Sequence, residues 1–205
     1  MRISVTGDRP PSDTNPFATR WTRPGAAPYW FPDDHSVDSL LGALRSHRGW
    51  GQIVGPHGSG KSTLLIELER ALESAGRRVW SYRSFSHAKV VFTRSDRRSW
   101  RPGDQVILDG FETLGPWRRW AVRRACRRAP CGLLVTSHRR QWGIPVLWTL
   151  HPTPELAWTL ASRMTRSSPV PITRQDVERA FRACGGNLRE TWFALYDVVT
   201  RRRTE

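Results

Sequence analysis

Long apolar runs are missing from this sequence. No stretch approaches the ~18 consecutive apolar residues that a membrane-spanning helix needs, so no membrane helix is predicted. The opening stretch MRISVTGDRPPSD also lacks the apolar core of a secretory signal peptide. We therefore expect a cytoplasmic protein that has no membrane partner.

Cysteine is scarce as well. Cys126, Cys131 and Cys184 are the only three, and their spacing contains no pair of the kind found in zinc sites. An odd number of thiols also leaves one over, which does not suit a disulfide framework. The sequence therefore predicts neither a structural zinc ion nor disulfide bonds.

Lysine is nearly absent, although the chain is strongly basic. Lys61 and Lys89 are the only lysines among 33 basic residues, and with 18 acidic residues the formal net charge is +15. The basic excess falls mainly between about residues 70 and 140. Arginine in place of lysine is consistent with a codon-composition bias, and equally with a surface that binds phosphate groups.

The order of strand and helix patterns predicts an α/β fold. Short apolar, β-branched runs are typical of buried parallel strands, and here they alternate with helical patterns. The predicted strands are GWGQIVG, RRVWSYRS, QVILD (105–109), GLLVTS (132–137) and VLWTL (146–150). This alternation predicts a parallel sheet with helices on both faces, over residues 36–151.

Two segments of different character flank the predicted sheet domain. Residues 1–35 are rich in proline and glycine but also in aromatic residues, which predicts an irregular arm whose rings pack onto the domain. Residues 152–205 contain three helical patterns with turn signals between them. The patterns lie at 154–166, 173–184 and 187–201. We therefore predict a small all-helical lid after the sheet.

The stretch GPHGSGKST carries the strongest functional signal. It fits Gly-x4-Gly-Lys-Ser after a predicted strand and at the start of a predicted helix, which is the context of a phosphate-binding P-loop. Glycines let successive backbone N–H groups wrap a phosphate, and the helix N-terminus adds partial positive charge. Lys61 is expected to reach the β- and γ-phosphates of ATP, and Ser62 to supply a hydroxyl to Mg²⁺. The predicted nucleotide-binding residues of this loop are Gly55, Pro56, His57, Gly58, Ser59, Gly60, Lys61, Ser62 and Thr63.

Acidic residues after a neighbouring strand are the candidates for metal binding and catalysis. Asp109 ends QVILD, where a carboxylate can hold Mg²⁺ beside the phosphates. Hydrolysis also needs a group that orients water, and Glu112 is the only acid close by. A solvated loop carboxylate is the competing interpretation of Glu112.

With these motifs, the chain resembles the AAA+ type P-loop ATPases over about residues 36–200. Three stretches stand in family order: GPHGSGKST as Walker A, QVILDGFE as Walker B and GGNLRE in the lid. The resemblance implies that Arg189 senses the γ-phosphate from the start of a lid helix, as in bacterial enhancer-binding activators. It also implies a sensor at the end of the fourth strand, Thr136 or Ser137, with His138 next to it. The catalytic set that we predict is Lys61, Glu112 and Arg189, and Ser137 joins the nucleotide-binding residues.

The sequence departs from the family pattern at two places. Gly110 follows Asp109 where the family has glutamate, so the catalytic carboxylate is displaced to Glu112 or is missing. Too few residues separate TSHR from VLWTL for the helix that carries the family's arginine finger. Arg139 and Arg140 are the nearest substitutes, and a role in surface solubility is the competing explanation. We therefore expect hydrolysis that is slow or that a partner stimulates. Members of the family commonly form oligomers, but the missing helix weakens that expectation for this chain.

The segment PWRRWAVRRACRRAP, residues 116–130, predicts an amphipathic helix with one apolar and one cationic face. The predicted cationic face consists of Arg119, Arg123, Arg124, Arg127 and Arg128. Such a face can follow a nucleic-acid backbone or dock an acidic protein, and an arginine-biased surface helix is the alternative without a partner. Trp117 and Trp120 are predicted to pack in the core or at its edge, which leaves no aromatic side chain to read bases.

Three functions are compatible with these features. The first is an ATP-dependent switch or remodelling ATPase that acts on nucleic acid or on a protein. The second is a non-hydrolysing ATP-binding adaptor, which the glycine after Asp109 keeps open. The third is a small-molecule or nucleotide kinase, which is disfavoured because no arginine-rich lid loop lies between the late strands.

Overall fold

The computed structural model describes residues 14–32, 34–83 and 93–204. Part of the predicted N-terminal arm and part of the polar segment after the second strand lie outside these residues. The chain divides into two compact units. One unit comprises Phe31–Gly55 and Leu64–Leu150, and the other comprises the described residues of Met1–Trp30, Pro56–Thr63 and His151–Glu205.

The first unit contains a parallel five-stranded sheet. Its strands are β1 (Trp50–Val54), β2 (Val79–Arg83), β3 (Gln105–Asp109), β4 (Gly132–Ser137) and β5 (Val146–Thr149). Their order across the sheet is β2-β3-β4-β1-β5, and every described pairing is parallel. All residues of β4 are buried, as are the first four of β3, because both strands lie inside the sheet. The predicted α/β fold class is confirmed.

Helices accompany these strands in chain order. They are α2 (Val37–Ser46), α3 (Lys61–Ser74), α4 (Arg94–Ser99), a short 3₁₀ helix (Phe111–Thr113) and α5 (Pro116–Arg128). Ser36 caps α2, where its side chain accepts from the Ser39 N–H at 3.1 Å. The chain leaves α3 through Gly76, whose φ of +77° is the left-handed conformation of a helix C-cap. Both boundaries follow capping chemistry that is readable in the sequence, with serine before one helix and glycine after the other.

The second unit is helical. A single turn, α1 (Thr19–Thr22), precedes three longer helices, which are α6 (Pro154–Met164), α7 (Arg174–Ala183) and α8 (Leu188–Thr204). Phe17 is fully buried among these helices and stacks on Trp192 with ring centroids 5.8 Å apart. The Asn15 amide donates to the Tyr196 carbonyl at 2.9 Å, so the described part of the arm is tied to α8.

Neither a membrane-crossing helix nor a disulfide bond occurs in the part of the chain that the structure describes. None of its helices has the combination of length and apolar composition that crossing a bilayer needs. The thiols of Cys126, Cys131 and Cys184 are all free, and the first two are buried.

Candidate nucleotide site

The phosphate loop has a conformation that only glycine adopts readily at two of its positions. Gly58 and Gly60 have φ values of +68° and +90°. Lys61 is the first residue of α3 and is only 9% exposed, and its Nζ donates to the Pro56 carbonyl at 2.6 Å. The buried Ser59 hydroxyl has no hydrogen-bond partner among the described residues. A buried ammonium beside an unsatisfied hydroxyl makes this loop suited to an anion.

Within the second unit, the loop lies against the start of α8. A Cβ atom on Gly58 would lie 1.8 Å from Asn187 Oδ1 and 3.2 Å from the Arg189 backbone nitrogen. Asn187 precedes α8, and its Oδ1 accepts from the Glu190 N–H at 3.3 Å. The Arg189 side chain is exposed. The structure therefore brings the GGNLRE stretch beside the phosphate loop, and the contact of Asn187 with the loop was not predicted.

One aromatic residue of the arm also lies beside the loop. A Cβ atom on Gly60 would lie 3.3 Å from Tyr29 Cε2, and burial raises the pKa of the Tyr29 phenol. The next residue, Trp30, has the Arg163 guanidinium over its ring at 3.4 Å from the centroid. Tyr29 is thus an arm residue that lies against the phosphate loop. The proline-flanked PYWFP run was the signal that could have singled it out.

In the first unit, the ends of β3 and β4 are joined by one hydroxyl. Thr136 is fully buried, and its Oγ1 donates to the Asp109 carboxylate and accepts from the Gly110 N–H at 2.8 Å. Gly110 has a φ of +79°, which an L side chain rarely adopts, so the backbone here favours glycine over the family's glutamate. Ser137 is also buried, and its hydroxyl donates to the Arg139 carbonyl at 2.6 Å. Of the two candidate sensor residues, Thr136 therefore contacts Asp109, and Ser137 bonds to the loop after β4.

Glu112 lies in the short 3₁₀ helix and is held by an imidazole. His138 Nε2 is 3.0 Å from Glu112 Oε1, and His138 Nδ1 is 3.2 Å from the Gly55 carbonyl oxygen. The other carboxylate oxygen of Glu112 is buried with no hydrogen-bond partner in the described part of the chain. The Glu112 side chain is 24% exposed. Glu112 is consequently a half-buried carboxylate with a fixed neighbour, which is not the environment of a freely solvated loop residue.

The structure corrects the predicted surface of α5. Two of the five arginines of the cationic face are half-buried, because Arg119 donates to Gln141 Oε1 at 3.0 Å and Arg123 lies over the Phe111 ring. Trp117 and Trp120, predicted to pack in the core or at its edge, are 82% and 55% exposed, so neither lies in the core. The buried positions of α5 are held by Val122 and Cys126, and the two tryptophans lie off that face. Aromatic rings are therefore available at this surface.

Comparison with known proteins agrees with the fold. No family model matches the chain, and no curated protein matches it in sequence. AMPPCP-bound DnaA from Aquifex aeolicus superposes with a TM-score of 0.55 at 14% identity, over 80% of this chain and 61% of that chain. A DNA replication initiation factor gives a TM-score of 0.58 at 14% identity, over 82% of this chain and 63% of that chain.

A RuvB variant from Thermotoga maritima gives a TM-score of 0.57 at 16% identity, over 84% of this chain and 62% of that chain. The chain thus spans less than two thirds of each of these structures. DnaA and RuvB are AAA+ P-loop ATPases. The chain therefore shares the fold of these AAA+ P-loop ATPases.

Proposed function

We propose that the chain binds ATP with Mg²⁺ and works as a nucleotide-dependent switch or remodelling ATPase. The observation that carries this proposal is the phosphate loop. It holds a nearly buried lysine and a buried hydroxyl without a described partner, at the start of a helix. A bound phosphate would accept a hydrogen bond from the Ser59 hydroxyl and would lie at the positive end of the α3 dipole.

The proposed ligands of the metal are oxygen atoms. Ser62 supplies a hydroxyl from the first turn of α3, and Asp109 supplies a carboxylate from the end of β3. Hard oxygen donors are what Mg²⁺ prefers, and it commonly takes one or two from the protein together with substrate phosphates. The donor types therefore fit the ion, which when bound would neutralise phosphate charge. The Thr136 hydroxyl helps to hold the Asp109 carboxylate in one orientation.

The proposed catalytic side chains are Lys61, Glu112 and Arg189. Lys61 neutralises the β- and γ-phosphates, Glu112 orients the attacking water, and Arg189 responds to the γ-phosphate. Glu112 suits the second task because it is half-buried and already positioned by His138. Ser137 would contribute through its backbone groups at the strand end, since its hydroxyl donates to the Arg139 carbonyl.

Switching has a physical basis in the first unit. His138 contacts the Gly55 carbonyl, which begins the phosphate loop, and also contacts Glu112. A shift of the loop backbone on phosphate binding would therefore move the imidazole and with it the Glu112 carboxylate. A ligand that prefers one arrangement of these groups biases their equilibrium, which is the requirement for a switch.

A non-hydrolysing ATP-binding adaptor is the second candidate. The left-handed Gly110 favours it, because that backbone disfavours a glutamate directly after Asp109. In this form the protein reads ATP occupancy and uses the cationic face of α5 to dock nucleic acid or an acidic protein. A small-molecule or nucleotide kinase is the remaining alternative.

A phosphate-release assay with and without nucleic acid distinguishes these functions. Slow phosphate release that a partner stimulates, and that Glu112→Gln abolishes without loss of ATP binding, supports the switch ATPase. ATP binding with no release under either condition supports the adaptor instead. Phosphate transfer to a nucleoside or sugar in a substrate panel would overturn both in favour of a kinase.

A further inference from the structure

The outer surface of α5 contains a pocket that the nucleotide site does not use. Its volume is about 310 Å³, at the lower end of the range of small-molecule sites. We call it the arginine pocket, and its principal lining residues are Arg123, Arg124, Arg127, Arg128, Trp120 and Trp142. All of them belong to the first unit. The pocket therefore combines four guanidinium groups with two indole rings.

The charge around this pocket is of one sign. Residues 116–145 contain eight arginines and no aspartate or glutamate. Among the described residues, no carboxylate forms an ion pair with the four pocket arginines. Burial and the neighbouring charges of Arg119 and Arg127 lower the pKa of Arg123. The guanidinium groups are thus crowded without described counter-charges, which favours an anionic ligand.

The loop between β4 and β5 carries Trp142, and buried hydrogen bonds fix the backbone on both sides of this residue. Gln52 is fully buried in β1, where its Nε2 donates to the carbonyls of Gln141 and Ile144 and its Oε1 accepts from the Gln141 N–H at 2.8 Å. Gln141 also accepts from Arg119 at 3.0 Å, and Ile144 is buried. Trp142 lies between these two fixed residues and is 90% exposed. The Trp142 ring is therefore presented to solvent from a fixed stretch of backbone.

We propose that the arginine pocket binds single-stranded nucleic acid, with a base stacked on Trp142 and the neighbouring phosphates held by the arginines. Every base has a π-face, so an exposed indole beside guanidinium groups is a platform for unpaired bases. A duplex offers the same phosphates but keeps its bases stacked inside. An acidic protein would satisfy the charges yet would leave the indole face without a partner.

This inference rests on the proposed partner surface of α5, and it identifies the partner by chemistry. It does not depend on ATP, because every residue of the pocket lies outside the phosphate loop. The two proposals therefore fail separately. Nucleic-acid binding that persists in Lys61→Ala would leave the pocket assignment intact even if ATP binding were lost or had never been present.

The test compares tryptophans inside and outside the pocket. Fluorescence anisotropy of a labelled oligothymidylate, measured without nucleotide, should show that Trp142→Ala weakens binding about tenfold, within the range for loss of one stacked base. Trp142→Phe should restore most of the affinity, because phenylalanine retains a stacking face. The matched control is Trp117→Ala, since Trp117 is 82% exposed but does not line the pocket. Both positions are exposed, and far-UV circular dichroism verifies that each of the three variants is folded.

A second comparison uses two arginines of the same helix. Arg128 lines the pocket, whereas Arg118 is an exposed α5 residue outside it. Arg128→Gln should reduce the slope of log affinity against log salt by about 0.7, the value for one phosphate contact on a single strand. Arg118→Gln should leave the slope nearly unchanged.

Three outcomes would overturn the proposal. One is an affinity of Trp142→Ala equal to that of the natural chain. Another is duplex DNA that binds as tightly as the oligothymidylate and is insensitive to Trp142→Ala, which would indicate backbone contacts alone. The third is polyglutamate that binds more tightly than the oligothymidylate, which would assign the surface to an acidic protein.

Discussion

His138 lies between Glu112 and Gly55, with Nε2 3.0 Å from the Glu112 carboxylate and Nδ1 3.2 Å from the Gly55 carbonyl oxygen. One imidazole thus links the residue proposed to orient water to the first residue of the phosphate loop. The glycine that follows Asp109 cannot supply a carboxylate, so any carboxylate catalysis at this strand end depends on a displaced residue. The contact with His138 explains how Glu112 keeps a defined position there.

His138→Ala should lower kcat for ATP hydrolysis by about tenfold to a hundredfold, because the carboxylate loses the neighbour that orients it. The KM for ATP should change little, since the His138 contact with Gly55 is to a backbone carbonyl, which does not bind phosphate. His47→Ala is the control, as His47 is exposed at the end of α2. A fall in kcat/KM that arises entirely from a higher KM, with kcat unchanged, would contradict a positioning role.

Thr136→Val should destabilise the first unit by about 1–3 kcal/mol. The change keeps the shape of the side chain but leaves the Gly110 N–H without its acceptor and Asp109 without a donor. Thr113→Val is the control, because the Thr113 hydroxyl also bonds to Gly110, at 2.7 Å, but in an exposed position. Urea denaturation of both variants measures the difference, and equal effects would argue against a special role for the buried bridge.

Asp176 should make the helical unit sensitive to acid. Although burial opposes ionisation, hydrogen bonds from Arg202 and from the Thr173 backbone and side chain lower the pKa of Asp176 to about 2. A folded pKa below the unfolded value gives stability that is fully present above about pH 4 and is lost as pH falls toward 2. Asp176→Asn should therefore flatten the pH dependence of the free energy of unfolding in this window. Asp197→Asn, at an exposed site of α8, should retain the slope of the natural chain.

Gly58→Ala should disturb the loop and the start of α8 together. Its Cβ atom would lie 1.8 Å from Asn187 Oδ1, so the asparagine would have to leave its place before α8. Gly76→Ala is the control, because Gly76 has a similar φ of +77° but no atom within 4 Å of the added carbon. Gly76→Ala should lower the free energy of unfolding by only about 1–2 kcal/mol, the cost of a left-handed backbone at a residue with a side chain. Gly58→Ala should cost more and should also weaken ATP binding, and equal costs would show that the contact is unimportant.

The elements of the fold could be predicted because their signals are local. QVILD and GLLVTS are strands over the predicted residues, since uninterrupted β-branched runs are typical of strands buried on both faces. Ser36 before a helical apolar pattern and Gly76 after one mark helix ends through capping chemistry within a few residues. Such rules need no knowledge of distant parts of the chain.

The contacts that shape the site could not be predicted, because they join residues far apart in sequence. The link of Thr136 to Asp109 and Gly110 depends on the pairing of β3 with β4. The buried Gln52 fixes a loop about ninety residues away, and no local pattern indicates this. The apolar character of Trp117 and Trp120 predicts packing in the core or at its edge, whereas the helix buries Val122 and Cys126. Side-chain type is a weaker guide to burial than helix orientation.

The most direct test of the central claim is the affinity for ATP and Mg²⁺, measured by calorimetry on the natural chain and on Lys61→Ala. The natural chain should bind ATP, and Lys61→Ala should weaken binding about thirtyfold or more, because a charged partner of the phosphates is removed from a nearly buried position. Ser62→Ala is the companion variant, and its ATP binding should lose dependence on Mg²⁺. A natural chain that does not bind ATP, or an unchanged affinity in Lys61→Ala, would contradict the account.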